Sequence, residues 1–236
     1  MISKVVESIG IELECGITTK GANRLVDRFS KWPIGANLNI GSDISVKVNR
    51  NPGLSILDNR EIRFYSDKWV DIKHFLKWAY EYGAKTDSSC GFHLHVEFVN
   101  HEFTLLSLAE KKFVSDFLHE YLVTFSSFEQ HEKYLSRLSN KYSKRNTESS
   151  ATLKRIVFDG DWSDRRVAVN FSSVNKHKRQ IVTKTGRSTM MLGTLEFRVF
   201  PNQNSAEEAI TTVTWLVDVL DKLVPKYTSR PIKIVL

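Results

Sequence analysis

The sequence predicts an α+β fold: a mainly antiparallel sheet of about six strands, helices packed on one face, and an active site on the other. Three observations carry that expectation. Several short segments alternate apolar and polar residues with period two. Longer amphipathic segments with helical period lie between them. The strands arrive singly or in pairs, which suits an antiparallel sheet with helices on one side. No linker-like stretch divides the 236 residues, so 1–236 reads as a single domain with one sizeable core.

Taken in chain order, the strand pattern covers residues 5–15, 42–48, 60–65, 91–99, 166–172 and 193–200. A weaker helical signal covers 22–31. The segment 67–82 places Val70, Phe75, Trp78, Ala79 and Tyr82 on one broad side, with Asp67 as a cap and Gly83 where a helix commonly ends. Residues 104–124 form an amphipathic run with Leu105, Leu108, Phe113, Phe117 and Leu118. The last helix, 205–224, opens on Ser205 and Glu208 at capping-box spacing and continues as a stripe of Trp215, Leu216, Val219 and Leu220.

Composition narrows the setting. With 41% hydrophobic and 26% charged residues the chain is ordinary for a soluble protein. It has no apolar run long enough to span a membrane, and its N-terminus lacks a signal-peptide core, so a cytoplasmic location is expected. Two cysteines, Cys15 and Cys90, fit a reducing compartment and read as small buried hydrophobes. Lys and Arg number 34 against 27 Asp and Glu, a net charge of +7 that invites anionic partners. The basic stretches 140–146 and 175–180 read as solvated loops. Neither interleaves aromatics on a nucleic-acid motif, so a nucleic-acid partner is disfavoured but left open by the charge.

Sorting each strand by face exposes the chemistry, because alternate side chains point to opposite sides. In 5–15, Ile9, Ile11 and Leu13 oppose Gly10, Glu12 and Glu14. In 91–99, Phe92, Leu94, Val96 and Phe98 oppose Gly91, His93, His95 and Glu97. In 193–200, Leu195, Phe197 and Val199 oppose Glu196 and Arg198, and in 42–48, Ile44 and Val46 oppose Asp43, Ser45 and Lys47. Glu12 and Glu14 are like charges about 7 Å apart on one face. A divalent cation is their natural partner. Carboxylates, imidazoles and an arginine on one sheet face suit metal ions bridging nucleotide phosphates. A zinc hydrolase competes, since imidazole suits zinc, although such a site needs neither the arginine nor so many glutamates.

The ordered pieces "GIELECG", "SDIS", "REIRF", "CGFHLHVEF" and "TLEFRVFPNQN" resemble the amidoligase family, within the glutamine synthetase and glutamate–cysteine ligase superfamily of carboxylate–amine ligases. The likeness runs from about residue 8 to residue 220, with "SRLSNKY" and "RVAVNFSS" as weaker segments that add Arg137, Asn140, Tyr142 and Asn170. It implies a glutamine synthetase catalytic-domain-like sheet. It also implies Glu12, Glu14, His93 and Glu196 as metal ligands, and His95, Arg198, Gly91, Arg137 and Asn170 around a nucleotide. Gly91 would let phosphates approach the strand. Asp43 and Glu61 would complete the metal cage or touch the amine, so Arg198, Glu61 and Asp43 are the catalytic candidates.

The cofactors so implied are ATP and two or more Mg2+ ions, with Mn2+ as an alternative. The implied reaction forms an amide through an acyl phosphate. The carboxylate would belong to a peptide, a protein or an amino-acid-like molecule, and an oligomer is compatible with it. The chain starts directly at the first site strand, without the N-terminal domain of the synthetases, and "IRFYS" after Glu61 departs from the small, Pro-containing run of the family. Two other classes stay open: a zinc- or manganese-dependent hydrolase, and a noncatalytic binding or structural protein, phage-associated for instance, that keeps a ligase fold.

Overall fold

A computed structural model describes residues 1–32, 38–50, 53–54, 56–99, 111–126, 131–138, 168–170 and 194–228. In order, the elements are β1 (Val6–Ile17), α1 (Thr19–Ser30), β2 (Leu38–Ser42), a 3-10 turn (Val48–Arg50), β3 (Asp58–Ser66), α2 (Trp69–Glu81), β4 (Gly91–Phe98), α3 (Lys111–Phe125), α4 (His131–Arg137), β5 (Val169–Asn170), β6 (Leu195–Pro201) and α5 (Ala206–Thr228). The strands form one six-stranded sheet in the order β2-β3-β1-β4-β6-β5, and each neighbouring pair is antiparallel.

Period-two alternation explains the layering. Ile9, Ile11, Leu13, Ile62, Phe64, Phe92, Leu94, Val96, Leu195 and Phe197 are all at most 2% exposed and join one apolar cluster with the buried stripes of the helices. From α1 come Leu25 and Phe29, from α2 Phe75 and Leu76, from α3 Phe113 and Phe117, and from α5 Val213 and Leu216. Phe29 and Phe75 both meet Phe64, with ring centroids 5.0 and 4.6 Å away. With apolar side chains and helices on one side, the opposite face of the central strands carries polar groups alone.

Three expectations change. The strand expected over 42–48 lies at Leu38–Ser42 instead. Asp43 ends it: its Oδ1 accepts from both the backbone N–H and the hydroxyl of Ser45, each at 2.7 Å, and this local turn competes with the ladder. Ile44 and Val46 therefore share no face; Ile44 is 89% exposed and Val46 is buried. In α2 the buried stripe is Ile72, Phe75, Leu76 and Ala79 at helical spacing, and Val70 points to solvent. Asp67 does not cap that helix. Lys68 holds the cap position without a side-chain bond, and Ser66 Oγ accepts the Lys68 N–H at 3.0 Å.

The other helix signals hold where they can be compared. Gly83, past the end of α2, has φ +95°, a conformation natural to glycine. At α5 the Glu208 N–H donates to Ser205 Oγ (3.1 Å), while Glu208 accepts from the Asn204 N–H (2.6 Å). Leu105 and Leu108 fall outside the described residues, as do both basic stretches and most of 166–172.

Candidate active site

Sheet register arranges the polar face in rows. Arg63, Glu12 and His93 lie across β3, β1 and β4. One step along, Tyr65, Gly10, His95, Glu196 and Asn170 span five strands. Glu61 sits opposite Glu14. Residues distant in sequence thus become direct cross-strand neighbours, close enough for their side chains to interact.

Two carboxylates form the centre. Glu12 lies 3.4 Å through Oε2 from His93 Nδ1, 3.4 Å through Oε1 from His95 Nε2, and 3.3 Å from Arg63 Nε. Glu196 Oε1 lies 3.8 Å from His93 Nδ1 and 3.9 Å from His95 Nε2 and accepts from Arg198 Nη1 at 2.5 Å. Its other oxygen accepts from Asn170 Nδ2 at 2.5 Å. Arg63 also pairs with Glu61.

Arg198 owes its position to a break in register. Phe92 pairs with Phe200 but Leu94 pairs with Phe197, so β6 carries one extra residue opposite His93. Such a bulge frees backbone carbonyls that burial requires to be paired. The Tyr121 hydroxyl of α3 donates to the Val199 carbonyl at 2.9 Å, and Arg137 Nε of α4 donates to the Arg198 carbonyl at 3.4 Å. Core packing on one side of the sheet therefore fixes an arginine on the other.

Electrostatics follow from burial and neighbours. Burial raises the Glu12 carboxyl, but the imidazoles of His93 and His95 outweigh it and hold Glu12 well below the usual carboxylate range. The same contest lowers Glu196, where His95, Arg198 and His93 oppose burial. Burial lowers His95, yet Glu12 and Glu196 raise it on balance. Glu61 is the contrary case: burial and the nearby Glu12 push it up to about 7, against the pull of Arg63. Burial lowers Arg137.

A pocket of about 170 Å³ opens on this face, lined by Glu12, Glu14, Asp43, Ser45, Glu61, Ser89, His93, Arg137 and Arg198. Of the residues picked from sequence, seven therefore line it. His95, Glu196 and Asn170 are not among its lining residues; they stand in the neighbouring row of the same face, 8%, 5% and 2% exposed. Gly91 closes the end of β4, where its N–H donates to Glu14 Oε2 at 2.5 Å. A Cβ on Gly91 would run into Arg137 and His93, so the space above this glycine already holds protein side chains. Asn140 and Tyr142 lie outside the described residues.

Sequence reasoning passed over Arg63, Thr194, Ser45 and Ser89. Arg63 was legible from the alternation of β3, since it shares the face of Glu61. Ser45 stood inside the "SDIS" piece. Thr194, 3.4 Å through Oγ1 from His95 Nδ1, opened the "TLEFRVFPNQN" piece, whereas Ser89, whose hydroxyl accepts the Lys47 N–H at 2.8 Å, carried no signal. Glu97 is buried on the same face and accepts from Ser8 Oγ (2.8 Å) and Tyr65 Oη (3.1 Å). Cys15 and Cys90 are free and buried; burial raises both thiols, Cys90 up to about 12, which leaves them unreactive at neutral pH.

Can this face hold a metal ion? Glu12, His95 and Glu196 each offer a ligand atom, and those atoms lie within 4.8 Å of one another. His95 Nε2 is buried and makes no hydrogen bond. Carboxylate oxygens with imidazole nitrogen suit a divalent cation such as Mg2+ or Mn2+, so the donor set fits.

A largely buried face of carboxylates and imidazoles, with arginines beside them, above a helix-backed antiparallel sheet is unlike a solvated surface and forms the candidate site. The family whose description reads "Putative amidoligase enzyme" matches residues 62–220, and the chain belongs to it. The match contains His93, His95, Arg137, Asn170, Glu196 and Arg198 and leaves Glu12, Glu14, Asp43 and Glu61 before its start. No curated protein and no solved structure matches the chain. Among the described residues no helix is long and apolar enough to cross a membrane.

Proposed function

We propose that this chain is an ATP- and Mg2+-dependent carboxylate–amine ligase, working as a single catalytic domain over 1–236 on a glutamine synthetase-like fold. The observation that carries the reading is the pocket itself. Glu12, Glu14, Asp43 and Glu61 line it together with Arg137 and Arg198, so sites for cations and for anionic oxygens sit side by side. A family of amidoligases is where such a pairing is expected.

The chemistry runs in two displacements. A substrate carboxylate oxygen attacks the γ-phosphorus of ATP, the bond to the bridging oxygen breaks, and ADP leaves an acyl phosphate. An amine nitrogen then attacks the acyl carbon, loses a proton and expels phosphate, leaving the amide. Both steps bring anions together, and the main demand on the protein is to neutralise that charge in place. Arg198 and Arg137 supply forked donors for phosphate or carboxylate oxygens. Glu12, Glu14 and Glu196, with an imidazole from the His93/His95 pair, hold the divalent cation. That cation, when bound, supplies further neutralisation of phosphate oxygens. Asp43 and Glu61 line the same pocket and would attract the positively charged form of an amine, Glu61 while paired with Arg63.

Calorimetry with a non-hydrolysable ATP analogue tests this. Binding is expected with Mg2+, to be lost with chelator, and to weaken about a hundredfold or more in Arg198→Ala. An analogue that does not bind with or without Mg2+ overturns the reading. Stoichiometric zinc retained through purification, alongside absent nucleotide binding, would favour a hydrolase.

A further inference from the structure

On the pocket side of the sheet arginines answer carboxylates: Arg63 pairs with Glu12 and Glu61, and Arg198 with Glu196. The helices over the other side are charged differently. Arg24 and Arg28 on α1, Lys31 just past its end, and Lys73 and Lys77 on α2 are all exposed. Spacings of three and four residues set each group along one side of its helix. The exposed acids of α1 and α2 are only Asp27 and Glu81, and among the described residues none of the five cations is in an ion pair. Gathered like charges repel, and a polyanion laid across them relieves that repulsion.

Where α1 meets α2 the contact is aromatic. His74 stacks on Trp78 with ring centroids 5.0 Å apart, and Trp32 meets both edge-on, at 5.0 and 5.3 Å. The Arg28 guanidinium lies over Trp78, 4.7 Å from its centroid. Trp78 is buried, but Trp32 and His74 remain half-buried at the surface. Trp32 is also held in place. Its Nε1 donates to Asp71 Oδ1 at 3.0 Å, and Asp71 Oδ2 accepts from Ser66 Oγ at 2.8 Å. Asp71 is 1% exposed, so a buried carboxylate in the first turn of α2 orients a ring at the surface. Each ring has a cation next to it in the chain: Lys31 beside Trp32, Lys73 beside His74, Lys77 beside Trp78. A fixed aromatic platform among cations suits a strand of stacked bases and phosphates.

We propose that the outer surface of α1 and α2 binds single-stranded nucleic acid, with phosphates on the exposed cations of both helices and bases stacked on Trp32 and His74. This function is separate from the ligase reading, because α1 and α2 cover the apolar face of the sheet and the pocket opens on the other. Unpaired bases can reach rings that lie against the surface, whereas a duplex keeps its bases stacked inside. An anionic bilayer is the competing partner. It calls for protruding apolar side chains, and α1 and α2 expose only Val26 and Val70 as large hydrophobics among their described residues. No single stretch of sequence shows the surface, since its rings come from two helices.

Fluorescence anisotropy of a labelled oligothymidine of about twelve nucleotides, titrated with the whole chain at about 50 mM salt, tests the proposal. Saturable binding is expected, and Arg198→Ala, in the pocket, should leave it unchanged. Lys73→Ala combined with Lys77→Ala should weaken binding and reduce the salt slope by about 1.4, since each phosphate contact on a single strand adds about 0.7. Trp32→Ala should weaken binding about tenfold with the slope kept. Should circular dichroism show that Trp32→Ala does not fold, Trp32→Phe, which keeps a ring, must instead reduce the quenching of tryptophan fluorescence by the oligomer. Absent binding, or unchanged binding in the lysine variant or the tryptophan variant, overturns the proposal. So does a loss in Arg198→Ala as large as in the lysine variant, or binding to phosphatidylserine vesicles without binding to the oligomer. None of these outcomes touches the ligase reading, which stands on the nucleotide calorimetry.

Discussion

Along β4, Phe92, Leu94, Val96 and Phe98 face the helices, while Gly91, His93, His95 and Glu97 face away from them, and all eight residues are buried. Equal burial has opposite energetic meaning on the two sides. On the apolar side removal from water stabilises, about 1.5–3 kcal/mol for a fully buried large side chain. On the polar side it costs free energy unless each charge finds a partner. The partners are there: Glu196 lies between Asn170 and Arg198, Glu12 among two imidazoles and Arg63, and Glu97 beneath two hydroxyls. Packing alone gives no reason to bury such a face. Its burial sets the polar side apart as the candidate site, and the helix-covered side as the scaffold that holds it.

The sharpest way to break that contrast is on the scaffold side. Leu94→Ala removes a fully buried side chain from between the helices and the site strands and should destabilise the fold by about 2–5 kcal/mol in urea titration. A loss under 1 kcal/mol, by any ordinary cavity argument, would show that the apolar face is not what holds the sheet. Tyr121→Phe is subtler, because it keeps the ring and removes only the hydroxyl that reaches the bulge carbonyl of Val199. A cost of about 1–2 kcal/mol is expected, together with weaker binding of a Mg2+–ATP analogue as Arg198 loses its fixed backbone. Unchanged analogue binding would mean the bulge holds its shape without α3.

The smallest effect concerns the polar side and depends on pH. Burial and the nearby Glu12 push the Glu61 carboxyl up to about 7 in the fold against an ordinary 4.5, so the folded state binds its proton more tightly than the unfolded chain. Stability is then fullest below the unfolded value and falls as pH rises through the folded one. Glu61→Gln removes this decline. In chelator, the variant should gain on wild type between roughly pH 5 and pH 8, by about 1 kcal/mol once solvent screening of this partly exposed carboxyl reduces the full effect of the shift. A difference that stays flat, or reverses, would place Glu61 in an attractive rather than a repulsive setting.

Much of this arrangement was legible in the chain. Alternation in 5–15, 91–99 and 193–200 separated the apolar face from the polar one correctly, because strand geometry forces alternate side chains to opposite faces whatever the partner strand. The same logic failed over 42–48, where Asp43 and Ser45 satisfy each other locally and end the strand early. Alternation also placed Arg63 on the face of Glu61, but its contact with Glu12 appears only when β3 is set beside β1.

The sequence by itself determined which side chains share a face, because that is a property of one strand's backbone. It also held the ordered pieces that mark the family. Only tertiary structure decided how those faces meet. Register set Glu12 between His93 and Arg63 and His95 opposite Glu196. The one-residue bulge in β6, held by Tyr121 and Arg137, lies in no local pattern of that strand. The different surroundings of His93 and His95 come from Arg137 and Thr194, 44 and 99 residues away along the chain. Long-range pairing is where the chemistry of two similar residues diverges, since a side chain's protonation and ligand capacity depend on the groups around it, not on its neighbours in sequence.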